Sequence, residues 1–302
     1  MDQSNSRPKN AHLAYRAIDA VFRNSLHMLP ILTWTERAAL WWGYRFRPAP
    51  CVVRLRSGAL IQIDPTDYLQ MMIYYFGTFE PHCLSYLKRC VRKGGTIVDV
   101  GANIGLFTLE SSFVVGKAGR VVSIEAAPSH VEALKHNIEL NFIKNVSVIE
   151  TAVGDKTGHA TLTRPRGGNL GTFTVGAVDG NETYVVPVRP MDQLLGEMDV
   201  SSLDLIKIDI EGSEFCALRG AKQILREHRP TLLIELNEAA LRRCNSSTQD
   251  VKELLGEHGY RGWRIGQKTV REILDHQVTH GCDECLFVHR TNNLLMERLQ
   301  LI

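Results

Sequence analysis

Apolar and polar positions alternate along this chain in two rhythms. From Glu80 onward, short apolar runs with a strand's bias (Gly95 to Val100, Val121 to Glu125, Val146 to Ala152) trade places with segments whose apolar residues recur at helical spacing (Glu80 to Arg92, Leu106 to Val115, Ser129 to Asn141). Strands alternating with amphipathic helices predict an α/β fold, a parallel sheet with helices on both faces. Further strands are expected at Ala160 to Thr163, Tyr184 to Val188, Leu203 to Asp209, Thr231 to Leu236 and Glu284 to His289. Before this region, Ala11 to Tyr44 has helical spacing and "CVVRLRSGALIQID" alternates as a hairpin about Ser57-Gly58. The expected organisation is a helical N-terminal extension (residues 1–50), a main domain with a small β-element at its start (51–290) and a C-terminal helical tail (291–302).

Composition narrows the class. The 302 residues, 44% hydrophobic and 23% charged, suffice for a full core. A net charge of +2 gives no basis for nucleic-acid binding. Seven scattered cysteines without an opening signal stretch favour a reducing, cytoplasmic setting, and no apolar run is long enough to span a bilayer. In "CDEC" (Cys282 to Cys285) the spacing suits redox or zinc chemistry, but a single pair makes packing the simpler reading. His276 and His289 read as satisfied or surface histidines rather than bases.

The chemistry begins at "TIVDVGANIGLFTL" (Thr96 to Leu109), where a strand runs straight into a glycine turn behind Asp99. In a doubly wound sheet such a turn lets backbone approach a ligand at the carboxyl ends of the strands, although Gly101 and Gly105 could equally serve a tight β-to-α connection. The next strand ends on Glu125, where an acid can hold ribose hydroxyls. The pattern G-x-N-x-G lacks the glycine set for a pyrophosphate, so an adenosine without phosphates fits better than a nicotinamide dinucleotide. Farther on, "LDLIKIDIEGSE" and "TLLIELN" bring Lys207, Asp209, Glu211, Glu214, Glu235 and Asn237 to strand ends. Lys207 within an apolar strand requires a partner, Asp209 or Glu235, unless the cluster is catalytic, with Asp209 or Glu211 orienting or deprotonating an acceptor hydroxyl. Asp209, Glu235 and Asn237 would also suit a divalent cation such as Mg²⁺, the alternative being that Glu211 to Glu214 form an acidic first helical turn.

In order and spacing, "YYFGTFEP" (Tyr74 to Pro81), "DVGANIG" (Asp99 to Gly105), Glu125, "AVGD" (Ala152 to Asp155), "LDLIKIDIEGSE" (Leu203 to Glu214) and "RPTLLIELN" (Arg229 to Asn237) resemble the FkbM-type family of S-adenosylmethionine-dependent methyltransferases. The resemblance implies a Rossmann-like, seven-stranded class I methyltransferase sheet, mostly parallel, with the last strand ("CLFVH") inserted antiparallel. It also implies S-adenosylmethionine as cofactor and methyl transfer to a hydroxyl of a sugar, polyketide or other small metabolite, with a glycan acceptor included. By position, Glu80, Asp99, Gly101, Asn103, Gly105, Glu125, Ala126, Ala152, Val153 and Asp209 would line the cofactor, and Lys207, Asp209, Glu211 and Glu235 would carry the chemistry. Ala126-Ala127-Pro128 departs from the family's proline directly after the acid. Two rivals remain open, N-methylation on the same fold and a non-catalytic adenosine-binding scaffold.

Two segments bear on the acceptor and partners. "RPRGGNLGTF" (Arg164 to Phe173) is expected to be a flexible loop beside the acceptor, with Asn169 and Asn237 as substrate contacts. "TWTERAALWWGYRF" (Thr33 to Phe46) mixes aromatic and basic residues, a composition compatible with peripheral membrane contact, a homodimer, an acceptor cap or simple docking on the main domain.

Overall fold

The computed structural model describes residues 19, 21–23, 33–46, 48–165, 173–175, 180–266, 270–273 and 282–301. By contacts the chain divides into two compact units, Met1–Phe79 and Glu80–Ile302. The sequence pattern drew its line at residue 50. The difference comes from the hairpin of β1 (Cys51–Arg54) and β2 (Leu60–Ile63), which is tied to the end of α2 (Tyr68–Phe76). The Arg56 side chain donates to the Phe76 carbonyl at 3.0 Å and its N–H to that of Gly77 at 2.9 Å. In the same unit α1 (Thr33–Phe46) and α2 are joined through buried Asp19, whose carboxylate accepts from Trp42 Nε1 at 3.1 Å, from the Tyr75 hydroxyl at 3.2 Å and from the Tyr74 hydroxyl.

The second unit is built on a sheet whose central strands follow from the apolar runs. In chain order they are β3 (Thr96–Val100), β4 (Arg120–Glu125), β5 (Val146–Glu150), β10 (Leu205–Ile208), β11 (Thr231–Asn237), β12 (Tyr260–Ile265) and β14 (Cys282–His289). The spatial order is β12-β14-β11-β10-β3-β4-β5. Strands β5, β4, β3, β10 and β11 pair in parallel, while β14 runs antiparallel between β11 and β12. A three-residue edge strand, β13 (Val270–Glu272), adds an eighth member by folding back on β12.

Alternate residues of each central strand face opposite apolar layers. Val98, Val122, Ile206, Ile208, Leu232 and Ile234 belong to one layer, with helices α7 (Glu214–Arg219), α8 (Lys222–Glu227) and α10 (Thr248–Glu257). Ile97, Val121, Leu205, Leu233 and Leu286 belong to the other, with α3 (Pro81–Cys90), α4 (Leu106–Val115) and α11 (Asn293–Leu299). The helix expected at Leu106 to Val115 has those bounds. Strands expected near Ala160 and Tyr184 do form, but in a separate four-stranded sheet, order β6-β9-β7-β8, made from β6 (Ala152–Val153), β7 (Gly158–Pro165), β8 (Thr174–Val175) and β9 (Gly180–Arg189). Helices α5 (Pro128–Leu140), α6 (Met191–Gly196) and α9 (Glu238–Arg243) complete the described elements used below.

The turn after β3 needs glycine for packing. At Gly101, with φ +80°, a Cβ would lie 1.9 Å from the Asp209 carbonyl oxygen, which is backbone and cannot swing away. Gly101→Ala is therefore expected to cost about 3 kcal/mol or more, combining left-handed strain with displacement of the β10 end. Denaturant midpoints of wild type and variant check it, and a loss below about 1 kcal/mol would contradict the close approach.

Candidate functional site

At the carboxyl ends of the strands, one face of the sheet turns from apolar to charged. In-register neighbours in a sheet share a face, and so do residues two apart on one strand. Ser123, Asp99, Lys207, Leu233 and Leu286 therefore form one row across five strands. The row beyond it contains Glu125, Gly101, Asp209, Glu235 and Glu284, the last two being direct partners across β11 and β14. Glu80, at the N-terminus of α3, adds its charge from above. Of Lys207, Asp209, Glu211 and Glu235, the residues expected to carry chemistry, Asp209 contacts both Lys207 and Glu235 on this face, and Glu211 sits in the turn that follows.

Lys207 is the centre of the cluster. It is buried, its Nζ lies 3.0 Å from Asp209 Oδ2, and it sits 5.6 Å from the centroid of the Phe107 ring. Burial disfavours its charge, but Asp209, Asp99 and Glu80 outweigh burial and hold its pKa well above the ordinary value. Burial likewise pushes Asp209 up, and Lys207 together with a hydrogen bond to Glu235 more than reverses it, so Asp209 is held ionised. The bland expectation of an ion pair and the functional one meet at the same contact.

One ammonium cannot compensate every carboxyl. Glu80 is pushed up to about 8, first by burial and then, against Lys207, by Asp209, Glu284 and Asp99. Burial raises Glu284 despite Cys83, which donates to it at 3.1 Å, and despite His82 and Lys207. Asp99 is raised by burial against Lys207 and Thr108. Its Oδ2 accepts from the Thr108 hydroxyl at 2.6 Å, while its Oδ1 is buried with no hydrogen-bond partner among the described residues. A buried carboxylate oxygen left bare costs free energy until a donor or cation arrives.

Glu125 is held differently. Its Oε2 accepts the Asn103 N–H at 2.7 Å, and its Oε1 accepts those of Ala126 at 3.0 Å and Ala127 at 2.9 Å. Burial alone would raise its pKa, but His130, with Nδ1 3.8 Å away, and these N–H groups outweigh it and hold the carboxyl below its usual value. A carboxylate has about four lone-pair sites, so three N–H bonds leave room on Oε2 for one further donor. Beside it lies a small apolar cluster in which Ala126, Ala152 and Phe173 pack on Ala127, Leu162 and Val186. Val153 is buried next to Ala152 in β6.

Other predicted residues have local duties. Gly105 has φ +96° and faces Leu134. Asn103 adopts φ +51°, Glu211 +55° and Glu80 +45°, three strained non-glycine residues in the turns around this face. Asn237 uses its Oδ1 to cap α9 through the Ala240 N–H at 3.2 Å, so the oxygen proposed for metal or substrate is already engaged. Among the described residues, the trio of His, Cys, Asp or Glu ligand atoms that converges within 4.8 Å is Glu80, Cys83 and Glu284 and does not include Asp209 or Glu235. Asn169 and His276 lie outside the described residues. Of the CDEC pair, Cys285 is buried in the layer that contains Ile206 and Ile208, the side chain of Cys282 lies outside those described, and His289 bonds Thr291 at 2.7 Å.

Sequence reasoning missed Thr108, His130, Cys83 and Glu284. Glu284 had a legible signal, the polar positions of "CDECLFVH". Cys83 had none, because 201 residues separate it from its partner.

A parallel α/β sheet with this strand order and one antiparallel insertion is the class I methyltransferase architecture, and the charged face lies at the carboxyl ends of its strands, where open α/β sheets bind ligands. Residues 99–261 match the methyltransferase FkbM domain, and the chain belongs to that family. It is 29% identical over 143 residues to Methyltransferase 1 of Beauveria bassiana (strain ARSEF 2860), covering 41% of this chain and 57% of that one. It is 25% identical over 239 residues to 31-O-demethyl-FK506 methyltransferase FkbM of Streptomyces tacrolimicus, covering 69% of this chain and 88% of the relative. The chain spans 57%, 37% and 42% of the lengths of the first three curated relatives it matches. Among solved structures, the FkbM methyltransferase of Methylobacillus flagellatus KT superposes with a TM-score of 0.41 at 20% identity, covering 74% of this chain and 53% of that one.

Glu214 supplies a test of the buried-carboxyl electrostatics. Its Oε1 accepts the N–H groups of Ile210 and Gly212, both at 3.1 Å, and its Oε2 is buried without a partner among the described residues. Burial, against those backbone bonds, raises it to about 7 from 4.5. The folded protein therefore keeps a proton that the unfolded chain has lost, and stability falls as pH rises between those values, by about 3 kcal/mol for this one group. Denaturant midpoints across the range should decline in wild type and decline less in Glu214→Gln. Equal slopes would contradict the assignment.

Proposed function

We propose that the chain is an S-adenosylmethionine-dependent methyltransferase that transfers a methyl group to a hydroxyl oxygen of a sugar, polyketide or other small metabolite. The observation that carries the reading is the charged row on this family's sheet: several buried carboxyls, one lysine, and an Asp99 oxygen with no partner. A site short of positive charge fits a cationic cofactor. Asp99 and Glu80 would face its ammonium end, Oε2 of Glu125 would accept one ribose hydroxyl, and Ala126 and Ala152 with Phe173 would offer an apolar surface to adenine.

When bound, S-adenosylmethionine supplies a methyl on a sulfonium that is already an activated leaving group. The chain itself has to align the acceptor and provide somewhere for its proton to go. Asp209 suits the second task, because Lys207 and Glu235 hold it ionised and ready to accept. Lys207 acts through Asp209, and Glu235 through its hydrogen bond to the same carboxylate. Oxygen rather than nitrogen is favoured by this base, since a neutral amine needs less help in losing its proton. The relative whose name specifies 31-O-demethyl-FK506 supports a hydroxyl acceptor.

Calorimetric titration with S-adenosylhomocysteine tests the cofactor. Wild type should bind, and Glu125→Ala should weaken binding by about tenfold or more, the scale of a hydrogen bond to a charged group. With labelled methyl donor and a panel of hydroxylated polyketides and sugars, Asp209→Asn should lower turnover by about a hundredfold while cofactor affinity stays within a fewfold. Folded wild type that binds no S-adenosylhomocysteine would overturn the reading, and undiminished turnover in Asp209→Asn would remove the base.

A further inference from the structure

Helix α1 has one face docked and one face in solvent. Thr35, Ala39 and Gly43 are buried, and Gly43 lies so close to α2 that a Cβ there would meet Met71 Sδ at 2.2 Å. Trp42 and Phe46 turn toward the same side, with ring centroids 4.4 Å apart, and Phe22 packs 5.1 Å from Trp42. The opposite side contains Trp34, Arg37, Trp41, Tyr44 and Arg45, all exposed. Their positions follow i, i+3, i+7, i+10 and i+11, one stripe along the helix. The three aromatic residues are 62%, 65% and 56% exposed, unusual for rings of this size.

We infer that this stripe is a docking surface for an anionic lipid bilayer. Every exposed ring on it is a tryptophan or tyrosine, an apolar body with one polar N–H or O–H. Such side chains favour the headgroup level of a membrane over its hydrocarbon interior. Two guanidiniums lie on the same stripe. The helix's acidic residue, Glu36, is turned aside to accept from the Tyr68 hydroxyl at 2.5 Å, so the stripe is purely cationic. At 1.5 Å rise per residue, 14 residues give a straight, convex ridge of about 21 Å, a shape that can lie in an interface plane. The composition is thus complementary to a negative, flat surface.

Co-sedimentation with vesicles tests this on the full chain. One set contains equal parts phosphatidylcholine and phosphatidylserine, the other phosphatidylcholine alone. Wild type should partition about tenfold or more in favour of the anionic vesicles, and high salt should weaken the preference. Arg37→Gln with Arg45→Gln should lose about thirtyfold on anionic vesicles, from about fivefold per arginine near such a surface. Trp34→Ser with Trp41→Ser should weaken binding to both vesicle types with unchanged melting temperature, since these rings are exposed. The inference fails if wild type does not sediment with anionic vesicles, or if both double variants bind as wild type does. It also fails if sedimentation velocity shows a wild-type dimer that Trp34→Ser with Trp41→Ser dissolves, which would give the face to a second copy.

Discussion

The Lys207 ammonium is the constraint around which the rest of the second unit is arranged. It sits inside the sheet at 3.0 Å from Asp209, where desolvation would expel it without several carboxyls close by. Those carboxyls come from β3, β10, β11 and β14 and from the start of α3, so the charge is stable only when these elements are in register. A slip of one residue on any strand would move its carboxyl to the opposite, fully apolar layer. The cluster therefore acts as a registration device, whatever chemistry it carries. Its acids outnumber its base, which leaves Glu80, Asp99 and Glu284 shifted toward their protonated forms and Asp209 ionised.

Much of this was legible because the period of a strand is two. In "IVD", "LIKID" and "LLIE" the same face changes from apolar to charged at the carboxyl end, and the parallel order that alternating helices impose places those ends side by side. Helix bounds were readable where glycine stops the chain, as at Gly116 after α4. What sequence could not yield depended on contacts between distant segments. Whether Gly101 serves a ligand or the Asp209 carbonyl is decided by a strand more than a hundred residues later. Ala152 reads as the end of a main-sheet strand, yet with Val153 it starts the second sheet through β9. The capping duty of Asn237 and the three N–H groups on Glu125 likewise need backbone geometry that no spacing reveals.

These features make one physical picture. The sheet concentrates negative charge at its carboxyl edge, with one lysine fixing which carboxylate stays ionised and buried protons compensating the others. A cation entering such a site replaces protons. A ligand without that charge has no equivalent effect on them. Glu125 lies outside this balance, because backbone N–H groups and His130 already stabilise its charge.

The most direct measurement is the number of protons exchanged when the cofactor binds, read by calorimetry near pH 8 in buffers of different ionisation enthalpy. Glu80, pushed up to about 8, is then part-protonated. S-adenosylmethionine and S-adenosylhomocysteine, which share the ammonium that would face Glu80 and Asp99, should each bind with net proton release. Binding of both without proton release would contradict a site whose buried carboxyls await a cation.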